Sequence, residues 1–176
     1  AVCLEMMNRL GLVKKLVELG FGSKQKPLAV GTIIARLLAP GSDRSSFQWL
    51  RNHSALGELI DFDFNLTTLN RYYEVADKIY KNKGQLEAWL YQQEQGLFSL
   101  DESIVFYDLT NNFFEGSGKF NGKAKFGRSK EKRSHAPLVT LGLVLDGSGF
   151  PKRSEIMAGN VSEPSTVEFM LDQLVA

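Results

Sequence analysis

Ile104-Val105-Phe106-Tyr107-Asp108-Leu109 is apolar at odd and even positions alike, with one carboxylate, Asp108, set among the apolar groups. A half-exposed strand alternates apolar and polar residues. A run without alternation is expected to be covered on both faces and to lie centrally in a sheet. The run also marks the place where the hydrophobic period changes from about 3.6 to 2.

Downstream of it, Leu138 to Leu145 reads as a second apolar strand, and Asp146-Gly147-Ser148-Gly149 is a turn signal. Pro151 to Met157 reads as a third strand. It opens on proline, which lacks an amide donor, so it is expected at a sheet edge. Pro164, with Ser165 and Glu168 spaced as a capping box, predicts a closing helix. The apolar stripe of that helix is Val167, Met170, Leu171, Leu174 and Val175.

Upstream, the first hundred residues read as helical. Leu4, Met7, Leu12, Val13, Leu16 and Val17 recur near helical spacing, with Gly20 placed to end the helix. Leu28 to Leu38 is apolar on most sides and predicts a buried helix. Ser42 caps a short helix through Trp49. Ser54 to Ile60 predicts another, and Leu66 to Tyr80 is strongly amphipathic. After Lys83-Gly84, one more helix continues through Leu86, Trp89 and Leu90. The predicted class is therefore α+β. A helical domain over 1–100 is followed by β-β-β-α, mostly antiparallel, over 101–176.

The chain has 176 residues, 43% hydrophobic and 23% charged, with a net charge of +1. These values exclude collagen-like, strongly acidic and wholly disordered classes. A single cysteine, Cys3, gives neither a disulfide framework nor zinc-site spacing. No apolar run is long enough to span a bilayer and no secretory signal is present, so the expected setting is the cytoplasm, with no membrane partner. The near-zero charge conceals a local excess. From Ser117 to His135, seven basic side chains (Lys119, Lys123, Lys125, Arg128, Lys130, Lys132 and Arg133) stand against Glu131 alone. With so few apolar residues this segment reads as a mobile basic loop that a polyanion could order. A solvated loop without a partner is the plain alternative.

Asp108 is the candidate for chemistry. An ionised carboxylate buried in such a strand loses several kcal/mol of hydration unless a basic partner, amide donors or a divalent cation compensates. An aspartate that ends the strand and bonds a turn amide is the structural alternative. A central-strand carboxylate, a basic loop and β-β-β-α together fit sites in which carboxylates hold two Mg²⁺ ions roughly 3.5–4 Å apart and process a phosphodiester.

Tyr107-Asp108-Leu109-Thr110-Asn111 with Phe114-Glu115-Gly116 resembles the first catalytic strand of DDE-type insertion-sequence transposases. The resemblance continues through Gly127 to Arg133, Leu138 to Gly147, Gly149-Phe150-Pro151, Gly159-Asn160 and Ser162 to Thr166. It implies an incomplete RNase H-like catalytic domain in which Asp108 is the first acid of an Asp-Asp-Glu triad and a ligand of Mg²⁺ or Mn²⁺, two ions in the complete site. The other two acids are implied to lie outside this chain, which alone is then expected to be inactive. The implied partners are double-stranded DNA, as terminal inverted repeats and target, and further copies of the chain assembled on that DNA. The alternative is a non-catalytic DNA-binding remnant of a truncated transposase.

Two regions are candidate DNA contacts: the basic loop, and a helix-turn-helix formed by Ser54–Ile60 and Leu66–Tyr80. In the latter, Thr67, Thr68, Asn70 and Arg71 would open the recognition helix. Residues 42–100 are net acidic, and an ordinary helical bundle is favoured there.

Overall fold

The computed structural model describes residues 1–97, 105–127 and 135–175. It is α+β, with helices mostly in the N-terminal part and one three-stranded antiparallel sheet. The chain divides into two compact units, Ala1–Leu86 and Glu87–Ala176.

The first unit contains α1 (Val2–Leu10), α2 (Leu12–Glu18), α3 (Lys26–Leu38), α4 (Asp43–Asn52), α5 (Leu56–Ile60), a 3₁₀ turn (Phe64–Leu66) and α6 (Leu69–Lys81). The helix expected to run on to Gly20 is instead two helices. Gly11 takes a left-handed conformation (φ 81°) between them, which glycine reaches without steric cost. α3 is the centre of this unit: Leu28, Ala29, Val30, Ile34 and Ala35 are buried. Gly31 lets Phe64 and Leu50 approach its backbone, since a Cβ there would lie 3.0 Å from the Phe64 ring. Ser42 caps α4 as expected, its hydroxyl accepting the Ser45 amide. α6 buries Tyr72 and Val75, and Tyr72 packs on Phe47 with ring centroids 5.3 Å apart.

α7 (Lys83–Leu97) begins in the first unit and continues into the second. The two compact units thus divide between Leu86 and Glu87, within α7. The reason is that the later turns of α7 engage the sheet of the second unit.

That sheet has the order β1 (Val105–Phe113), β2 (Leu138–Asp146), β3 (Pro151–Ala158). β2 is the central strand and alternates strictly between buried and half-buried residues. β3 lies at an edge, as its leading proline requires, and Pro151 opposite Leu145 coincides with a register irregularity. The unpaired side of β3 meets α7, where Glu87 accepts the Ser154 amide at 3.1 Å and also the Ser154 hydroxyl. A helix carboxylate thereby occupies an edge amide that another strand would otherwise use. α8 (Glu163–Val175) covers one sheet face. Met170 packs with Val144 and Met157, and the Tyr107 hydroxyl bonds Thr166 Oγ1 at 2.6 Å.

Two expectations about α8 are corrected. Its start is organised by Ser162 and Ser165, not Ser165 and Glu168: the Ser162 amide donates to Ser165 Oγ, and that hydroxyl donates to the Ser162 carbonyl. Val167 and Leu171 are exposed, because only the Thr166–Met170 side of the helix meets the sheet. The side chains of Leu174 and Val175 lie outside the described residues. No helix among the described residues is long and apolar enough to cross a membrane.

Candidate nucleic-acid interface

The expectation for β1 is the main correction. Among the described residues β1 is an edge strand, and its two faces differ. Pairing aligns Tyr107 with Val144, Leu109 with Gly142 and Asn111 with Thr140, which places these residues on the α8 side. Phe106, Asp108 and Thr110 point to the other face and are exposed. A continuous apolar run predicts double burial, but Phe106 is 55% exposed, so among the described residues the face that carries Asp108 is open. Asp108 is itself exposed, so the hydration loss inferred for a buried carboxylate does not arise. Ile104 lies outside the described residues.

Over residues 114–127 the basic loop is organised by main-chain hydrogen bonds. Leaving β1, the chain bonds back to β2 through the Phe114 amide and the Pro137 carbonyl. Gly118 (φ 56°) and Asn121 turn it, with Asn121 N–H on the Gly118 carbonyl and Ala124 N–H on the Asn121 carbonyl. Lys125 then pairs with Leu138 through two main-chain bonds of 3.0 and 2.9 Å, and the Gly159 amide donates to the Lys123 carbonyl. The order comes from main-chain bonding and from contacts between glycines, not from apolar burial, so a criterion based on hydrophobic content missed it. A Cβ on Gly127 would lie 1.9 Å from the Gly159 carbonyl oxygen.

This scaffold sorts the lysines. Lys123 Nζ donates to the Ile156 carbonyl and lies 3.7 Å from Glu155 Oε1, so its charge is held against β3. Lys119 and Lys125 are exposed. Arg128, Lys130, Lys132 and Arg133 lie outside the described residues. Asp108 and the loop are not adjacent along β1: five residues of extended chain to Phe113 span roughly 17 Å.

The second candidate region has another character. Thr68 is the N-cap of α6 and accepts the Arg71 amide, so it lies before the helix, and only Asn70 and Arg71 fall in the first turn. The connection from Asp61 to Thr68 contains the 3₁₀ turn and exceeds the three or four residues of a helix-turn-helix. Thr67 and Arg71 line a groove of about 550 Å³ with Lys24, Asp61, Asp63 and Glu74. Carboxylates outnumber cations there, which disfavours phosphate.

At the β2–β3 turn, Asp146 is fully buried. Its Oδ1 accepts the Ser148 and Phe150 amides at 2.9 Å each, as a hairpin-turn aspartate should. Its Oδ2, and Oε2 of Glu94 on α7, are buried without hydrogen-bond partners among the described residues. Burial, and then the neighbouring Asp146 charge, push the Glu94 carboxyl above its ordinary range. Compared with family models, with curated proteins and with solved structures, the chain matches none.

Proposed function

We propose that this chain is the N-terminal part of a DDE-type transposase, its second unit an incomplete RNase H-like domain and its loop a phosphate-binding segment for double-stranded DNA. The observation that carries the reading is one combination in a single unit. An antiparallel β-β-β-α frame bears a solvent-facing carboxylate in the middle of its first strand, and an ordered lysine-rich loop follows that strand. The sequence resemblance through Asp108, Gly127 and Gly159 supports it.

In this reading the loop lysines bind without reading sequence, so affinity falls steeply with salt. Thr67, Thr68, Asn70 and Arg71 are the weaker part of the interface, because of the acidic groove around Arg71. Copies of the chain assemble on element ends.

Asp108 supplies a hard carboxylate oxygen of the kind Mg²⁺ or Mn²⁺ takes. Among the described residues no three His, Cys, Asp or Glu side chains are grouped to hold a metal ion. The described residues thus do not complete a two-ion site. The alternative is a DNA-binding module without catalysis.

Fluorescence anisotropy against a duplex taken from DNA flanking the reading frame, and against a shuffled duplex, tests the DNA reading. Salt-steep binding to both duplexes is expected from the loop, and absence of binding at low salt refutes it. For Asp108, Mn²⁺ is expected to broaden the amide signals of residues 107–109 selectively, and Asp108→Asn to abolish this. Broadening that survives the substitution refutes the metal role.

A further inference from the structure

Two aromatic rings stand in water within the described part of the basic loop. Phe120 is 100% exposed and Phe126 is 66% exposed. Each adjoins a lysine: Lys119 precedes Phe120, and Lys125 precedes Phe126. Scattered exposed apolar residues are ordinary and call for no explanation. Here, however, the backbone that presents the rings is fixed by the Gly118–Asn121 turn and by the Lys125–Leu138 pair. The rings are therefore held outward by a built loop.

A ring beside an ammonium group matches one partner chemistry closely. The ammonium meets a phosphate, and the ring stacks on a nucleobase face. Paired bases in a duplex show their edges in the grooves, not their faces. A ring reaches a face only where a base is unpaired or a step has been opened. Lys123 is held by Glu155, which among the described residues leaves Lys119 and Lys125 to meet the backbone.

We propose that the Lys119–Phe126 loop binds unpaired nucleotides of DNA, with Phe120 and Phe126 stacking on bases and Lys119 and Lys125 contacting the adjoining phosphates. The proposal rests on the DNA-binding reading above and narrows its ligand to strand ends and opened steps.

The test uses anisotropy with two labelled DNAs of one duplex sequence, one blunt and one with a short unpaired adenine overhang. The wild-type chain is expected to bind the overhang DNA roughly tenfold more tightly. Phe120→Ala and Phe126→Ala should each remove most of that margin and leave blunt-duplex binding unchanged. Phe120→Tyr and Phe126→Tyr, which keep a ring, should restore it. Lys125→Gln should weaken both DNAs alike and reduce the salt slope by about one. Equal affinity for the two DNAs, or a margin that survives the double alanine variant, overturns the proposal while leaving duplex binding intact. Absence of salt-dependent binding to either DNA overturns this proposal and the DNA reading together.

Discussion

Replacing Gly159 by alanine tests whether contacts between main chains, and not apolar burial, order the basic loop. The new Cβ would lie 2.0 Å from the Leu138 carbonyl oxygen and 2.6 Å from that of Lys125. Both neighbours are backbone, so no flexible side chain can yield. Restoring ordinary contact moves Gly159 or its neighbours by more than 1 Å, on the order of the gap to a 3.4 Å carbon–oxygen contact. Three main-chain bonds lie in the way: Gly159 to Lys123 (3.0 Å) and the two between Lys125 and Leu138. At about 1 kcal/mol net each, their loss costs about 3 kcal/mol. For a unit of this size that lowers Tm by roughly 12–24 °C. Circular dichroism melting measures the shift, and amide exchange at Lys125 and Leu138 reports the loop itself. Gly122→Ala is the control, since nothing lies within 4 Å of its Cβ. A Gly159→Ala chain that melts within about 2 °C of wild type, with Lys125 and Leu138 still protected, would refute the reasoning.

Asp146→Ala removes the acceptor of two turn amides and is expected to cost about 2 kcal/mol, whereas Asp146→Asn keeps an acceptor and should cost less than about 1 kcal/mol by chemical denaturation. The Glu94 carboxyl is raised in the folded state, so the fold binds more protons than the unfolded chain. Its stability contribution is then greatest below the unfolded carboxylate range and declines as pH rises through the raised folded value. Glu94→Gln should flatten that decline in pH-dependent melts, and an unchanged pH profile would remove Glu94 as its cause. Asp108→Asn, at an exposed position, should change stability by no more than about 0.5 kcal/mol. Lys119→Gln and Lys125→Gln should each lower the salt slope of duplex binding by about one, and Lys123→Gln by less, since Glu155 already holds that charge.

Much of the fold was written locally. Ser42 as a cap, Pro151 at a sheet edge, Asp146 at a turn and the apolar sides of α3 follow from side-chain chemistry that acts within a few residues, which makes them legible in a linear string. The break at Gly11 was missed because periodicity runs straight through it, and only the backbone dihedral exposes it. The cap of α8 was displaced to Ser162 because Ser162–Ser165 and Ser165–Glu168 offer the same spacing, and which serine lies outside the helix depends on where β3 releases the chain.

The candidate site divides in the same way. The sequence by itself determined that a carboxylate lies within an apolar strand and that a strongly basic segment follows it. Only tertiary structure decided that Asp108 faces water, that Lys123 is held by Glu155, and that Phe120 and Phe126 are presented on a fixed backbone. The physical reason is range. Hydrophobic period and capping are set by neighbours along the chain. Exposure of a strand face depends on what packs across it, and the order of a glycine-rich loop depends on amides and carbonyls brought to it from β2 and the end of β3.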